Sequence, residues 1–133
     1  MAEFLTLYIS TVAVFLFIDY FGLTYLIRPI FARTLGDGLL ENFRAVPALA
    51  FYMFFMVGVT VFVSLPAYHS DIPLQALGMG VFLGALAYGT YEFTNLATLR
   101  DWTWEMVIVD FTWGSVLTGV ASMAGVLITL AIF

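Results

Sequence analysis

The sequence predicts an all-α, polytopic membrane protein, a bundle of four transmembrane helices. Three observations carry that expectation. Of the 133 residues, 63% are hydrophobic and 10% charged, far from the roughly 45–50% apolar and 25% charged mix of soluble domains. The apolar residues gather into stretches at about 4–27, 46–66, 74–98 and 106–132, each reaching the ~20 residues a helix needs to cross ~30 Å of hydrocarbon. Between them stand residues that end helices: Pro29, Gly36 and Gly38, then Pro66 and Pro73, then Arg100-Asp101-Trp102. A chain of this length is one domain, 1–133.

Each stretch has its own signature. The first opens Met1-Ala2-Glu3 without a positive leader and runs through Asp19 with no small-residue cleavage site, so it is expected as a retained span and not a signal peptide. After it, Phe31, Leu35, Leu39, Leu40 and Phe43 stand among charges, the pattern of a short helix lying in the membrane interface. In the second, the run from Phe51 to Met56 reads as core or lipid-facing belt. The third carries Ala76, Gly80 and Gly84, and the fourth Ser115 with Gly119 and Ala121 with Gly125. Small residues at four-residue spacing let helix backbones approach closely, and packing inside the bundle is expected ahead of packing between protomers. A faint echo links Asp19-Tyr20-Phe21-Gly22-Leu23, followed by Arg28, with Glu92-Phe93-Thr94-Asn95-Leu96, followed by Arg100. It suggests two parallel halves, although the second and fourth stretches share little.

All four basic residues are arginines, and Arg28, Arg33, Arg44 and Arg100 fall in the first and third connections. The positive-inside rule puts those connections in the cytoplasm and both termini on the outer side. The connection with His69 and Asp71 then faces outward, where a lone loop histidine reads as solvated, and Trp102 and Trp104 form a cytoplasmic interfacial anchor.

Composition also excludes. A formal net charge of −5 with no lysine leaves no basic stripe for nucleic acid. Absence of cysteine removes disulfides, iron–sulfur clusters and thiolate metal sites, and the single histidine removes bis-histidine haem ligation. No phosphate loop, zinc signature or nucleophile elbow is present. The expectation is therefore no cofactor, no metal and no named catalytic residue, with enzyme activity the less favoured reading.

What remains is acidic. Asp19, Glu92 and Asp110 interrupt three of the four apolar stretches, and a carboxylate near the centre of a membrane helix costs roughly 2.5–3.5 kcal/mol. Counted from the arginine and tryptophan boundary, Asp19 and Glu92 lie about 12–14 Å deep and Asp110 shallower, all in the cytoplasmic half. At helical period Glu92 shares a face with Ala85, Tyr88, Asn95 and Leu99, and Asp110 with Trp113, Gly114 and Leu117. Convergence of these faces with that of Asp19 and Gly22 makes a pocket open to the cytoplasm, lined by Asp19, Glu92, Asp110, Tyr88, Tyr91, Asn95 and Trp113. Thr94, Thr98 and Thr112 stand near it.

Such a pocket has three uses. Carboxyl groups in apolar surroundings exchange protons, and acids flanked by aromatic rings attract organic cations. Alternatively the acids are internal polar glue, accepting hydrogen bonds from Tyr88, Tyr91, Asn95 or Trp113 or pairing with Arg28, Arg44 or Arg100.

The run Tyr91-Glu92-Phe93-Thr94-Asn95-Leu96-Ala97-Thr98-Leu99, with Asp110-Phe111-Thr112-Trp113-Gly114, resembles the signature of the bacterial inner-membrane family called domain of unknown function 2177. The resemblance takes in Asp19 to Leu23, Arg28-Pro29 and Pro47 to Tyr52, and so covers the whole chain. It implies a four-helix, multi-pass protein of the bacterial inner membrane, and no activity. This chain departs from the family pattern in having Glu92 where aspartate is usual and Tyr20-Phe21 where tryptophan follows the first acid. Glutamate keeps the charge but reaches one methylene further, which weighs against fixed metal coordination more than against proton exchange.

The reading expected from these residues is a small carrier or ligand-binding protein whose acidic pocket takes protons and a small cationic or amphipathic ligand. Asp19 and Glu92 are the expected proton or cation binders, with Asp110 modulating. Four helices make a thin wall for transport, so a carrier is expected to form a homodimer or larger assembly in the lipid. The alternatives are an accessory subunit of a larger membrane complex and an intramembrane enzyme acting on lipid with two carboxyl groups as acid and base.

Overall fold

The computed structural model describes residues 1–133, and the chain is helical throughout, with no strand. Four rods follow one another: α1 (Ala2–Gly38), α2 (Ala45–His69), α3 (Pro73–Thr98) and α4 (Trp104–Ile132). By length and composition α1, α2 and α4 qualify to cross a membrane. α3 is long enough at 26 residues, but Gln75, Glu92 and its glycines and tyrosines make it less apolar.

Neither Pro29 nor Pro66 ends its helix, contrary to the expected stops near residues 27 and 66. Proline lacks an N–H and its ring crowds the carbonyl four residues back, and here the helix accommodates it by widening. A π turn at Leu23–Ile27 precedes Pro29, and another at Thr60–Ser64 precedes Pro66; α-helix then resumes as Arg28–Leu35 and Leu65–His69. Of the interfacial helix expected after the first span, Phe31 and Leu35 fall on a continuation of α1, while Leu39, Leu40 and Phe43 lie in the non-helical connection to α2. α1 gives way at Gly36, whose φ of +52° suits glycine. α3 starts on Pro73, where a missing N–H costs nothing. α4 is capped by Thr103, whose hydroxyl accepts from the Met106 N–H at 3.4 Å.

α4 is the centre of the bundle, packed against α1, α3 and the His69 end of α2. The small-residue stripes are seams inside the molecule. A Cβ at Gly80 would stand 2.7 Å from the Gly119 Cα, one at Gly84 2.9 Å from the Gly114 carbonyl oxygen, and one at Gly125 would strike Thr11. α4 also buries a ladder of hydroxyls. Ser115, Thr118, Ser122 and Thr129 each donate to the carbonyl four residues earlier, at 2.6–2.8 Å, so none brings an unmet polar group into the core. Leu7, Phe15, Met56, Val59 and Ala121 belong to the main core, while Ile27, Phe31, Trp102, Met106 and Val107 make a second one toward the arginine end. The outward faces are apolar, with Phe17, Phe54, Phe62, Phe82 and Ile108 exposed, as a lipid-facing surface requires.

α2 is held unevenly. Its Thr60–His69 part packs on α3 and α4, whereas Ala45–Val59 approaches only α1 closely. α2 and α3 therefore meet at the His69 end, joined by a short turn through Asp71, and part toward the other end. That divergence opens the site.

Candidate functional site

Between α1, the connection to α2, α2 and α3 lies a cavity of about 790 Å³, with Asp110 of α4 in its wall. Leu23, Ile27, Phe31, Leu39, Phe43, Phe51 and Phe55 supply apolar lining; Asp19, Asp110, Tyr52, Tyr88 and Tyr91 supply the polar part; Arg28 and Arg44 line it too. Size and lining are those of a small-molecule site, mostly apolar with a few convergent polar groups.

Asp19 belongs to the buried face of α1 that also holds Thr11, Phe15 and Gly22. The indole N–H of Trp113 donates to its Oδ1 at 3.1 Å. Gly22 makes that contact possible: the indole lies over it, and a Cβ there would come within 2.0 Å of Cζ2 of the ring. Tyr52 of α2 stands on another side of Asp19, and Tyr88 of α3 beside Tyr52. The Tyr88 ring occupies the space left by Gly114, and its hydroxyl is buried with no hydrogen-bond partner. Four helices thus deliver one acid, one indole and two phenols to a single neighbourhood.

Glu92 is fully buried on α3. The Trp102 indole N–H donates to its Oε2 at 2.8 Å, while Oε1 has no donor, and Asp110 stands beside it. Trp102 is pinned edge-on between Phe31, at 5.3 Å, and Tyr91, at 5.7 Å between ring centroids. Both of those rings line the cavity and Glu92 does not. Glu92 therefore lies behind the wall, next to the Asp110 that faces through it.

The cavity brings together Asp19, Asp110, Tyr88 and Tyr91. Trp113 approaches Asp19 from outside it, and Asn95, half-buried, sits beside Tyr91 and off the cavity. Thr94, Thr98 and Thr112 are exposed elsewhere. Arg28, Arg44 and Arg100 form no ion pair; the one ion pair joins Arg33 to Glu105 at 2.7 Å on the surface. Indoles, not guanidinium groups, meet two of the three buried acids, Asp19 and Glu92. No three histidine, aspartate or glutamate side chains converge where they could hold a metal ion.

Two residues of this site escape a reading of the sequence. Trp102, expected at the interface, is 9% exposed, whereas Trp104 at 62% keeps to the outside. Its signal is position: it stands in the tight turn after α3, from which an indole folds back onto the helix it has just left. Tyr52 is the single ring with a hydroxyl in the Phe51–Met56 run, and that hydroxyl is the one clue to its inward direction.

Comparison with the curated proteins and with the solved structures finds no match. The family model described as "Predicted membrane protein (DUF2177)" matches residues 4–127.

Proposed function

The chain belongs to the DUF2177 family of predicted membrane proteins, and from that premise we propose that its cavity is an intramembrane binding site for protons and a small cationic or amphipathic ligand. In this reading all four helices span the bacterial inner membrane, both termini lie outside, and the cavity opens at the cytoplasmic end, where the arginines are. One observation carries it: Asp19 and Asp110, from helices at opposite ends of the chain, lie on the wall of the same largely apolar cavity. Carboxylates among Tyr52, Tyr88 and Tyr91 attract the charged end of an organic cation. Glu92 behind Asp110 adds a second carboxyl group, so that the two together can hold and release a proton.

The test is equilibrium binding in nanodiscs of a dansyl-labelled single-chain amine. Saturable binding is expected, abolished by the cavity-filling Ala87→Phe and weakened at least about tenfold by Asp19→Asn or Asp110→Asn. Uptake that merely follows the amount of lipid and ignores Ala87→Phe sinks the reading. Transport, as distinct from binding, calls for a homodimer or larger, and a strictly monomeric protein in nanodiscs counts against it.

A second reading has its own support. Asp19 and Glu92 each already accept an indole hydrogen bond, as acids used only to fasten helices would, and the chain would then be an accessory subunit of a larger membrane complex. Collapse of folding and of partner association in Asp19→Asn, with no probe bound by the wild type, favours that reading.

A further inference from the structure

We propose that the end of the cavity near residues 38–44 is an anion-binding mouth, where Arg28 and Arg44 take the carboxylate or phosphate of a single-chain lipid anion drawn from the bilayer. The proposal rests on the cavity being a binding site and takes up the amphipathic form of its ligand, with an anionic head at the arginine end.

Charge is the first argument. The chain has four basic residues and two of them line this cavity. Neither is neutralised. Arg28 donates one hydrogen bond, to the Glu41 carbonyl at 3.2 Å, and Arg44 makes none; Asp37 and Glu41, though close in sequence, pair with neither. A guanidinium group with free N–H donors matches a carboxylate or phosphate in pairs of parallel hydrogen bonds. Arg44 also sits at the start of α2, whose first-turn N–H groups have no side-chain cap, and those amides add to the attraction for an anion.

Orientation is the second. Asp19 and Arg28 stand nine residues apart on α1, about 13 Å at the helical rise, so the acids repel an anion from one end of the cavity while the arginines hold it at the other. The source follows from the shape. Ala45–Val59 packs closely on α1 and not on α3, and Phe51, on that length, is both exposed on the outside of the bundle and part of the cavity lining. Phe51 thus offers an acyl chain in the bilayer an apolar surface continuous with the cavity wall.

The experiment compares dansyl-undecanoic acid with its methyl ester in phosphatidylcholine nanodiscs holding the full chain. The carboxylate is expected to bind about tenfold tighter than the ester. Arg28→Gln and Arg44→Gln are each expected to shrink that preference to about threefold or less, while Arg100→Gln, off the cavity, leaves it intact. Both cavity arginines are exposed, and unchanged thermal unfolding of the variants separates lost binding from lost folding. Equal affinity for acid and ester overturns the proposal, as does a preference that survives both substitutions. Displacement of the probe by millimolar inorganic phosphate assigns the mouth to a soluble anion and also overturns it. Failure of the amine probe alone strikes the acid end and leaves the mouth standing; failure of every probe removes the binding site itself.

Discussion

An indole N–H does little to neutralise a charge and a good deal to fix where a carboxyl group points. Trp113 on Asp19 and Trp102 on Glu92 both do this, and the first contact depends on Gly22. Trp113→Phe keeps the ring and removes the donor, which is expected to cost about 1–3 kcal/mol, read as a lower midpoint of unfolding in detergent. Gly22→Ala is expected to cost at least as much, with a shift in tryptophan emission, because the new methyl group occupies the place of the indole. The Arg33–Glu105 pair is the contrast: both side chains are more than half exposed, and Glu105→Gln is expected to change stability by less than about 1 kcal/mol. The acids were legible in the sequence because charge inside an apolar run is an anomaly whatever the fold. Trp102 was not, because tryptophan is ordinary at a membrane interface and only the path of the turn decides which of two neighbouring indoles goes in.

At the scale of elements, glycine spacing decides how closely α3 and α4 lie. Gly80→Ala or Gly119→Ala drives a methyl group into the facing backbone and is expected to destabilise by about 1–3 kcal/mol. Gly78, two residues before Gly80 on α3, faces open space, and Gly78→Ala is expected to hold or raise stability by up to about 1 kcal/mol. Unfolding of the three variants under one set of conditions checks both halves. The seam was legible as a spacing, since small residues four apart have few other uses. The continuation past Pro29 and Pro66 was not: a proline marks where hydrogen bonding fails, and whether the chain turns away or widens into a π turn depends on what packs against the next residues. Ile27 and Phe31, buried against Trp102 and Met106, keep α1 going.

For the whole molecule, the absence of cysteine makes topology directly measurable. With four spans, Asp37→Cys and Asp101→Cys are expected to react with a membrane-impermeant maleimide from the cytoplasmic side only, and Ser70→Cys from the outer side only. Labelling of Ser70→Cys and Asp101→Cys from the same side means that α3 does not cross. All-helical character was legible from apolar run lengths alone. The central place of α4 was not, for its apolar residues surround the helix, and only the hydroxyl ladder and glycines, which face inward once packed, distinguish its sides.

α2 is in effect a beam clamped at one end, near the π turn at Thr60–Ser64, with Ala45–Val59 as a looser length whose close packing is on α1. Surrounding lipid exerts lateral pressure on that looser length. Tighter acyl packing is expected to press it toward α3 and narrow the space between them, and looser packing to let it stand off. On the proposed binding role, affinity for the dansyl probes is expected to differ between nanodiscs of saturated and of unsaturated lipid, so that bilayer composition joins the side chains of the wall as a control on the site.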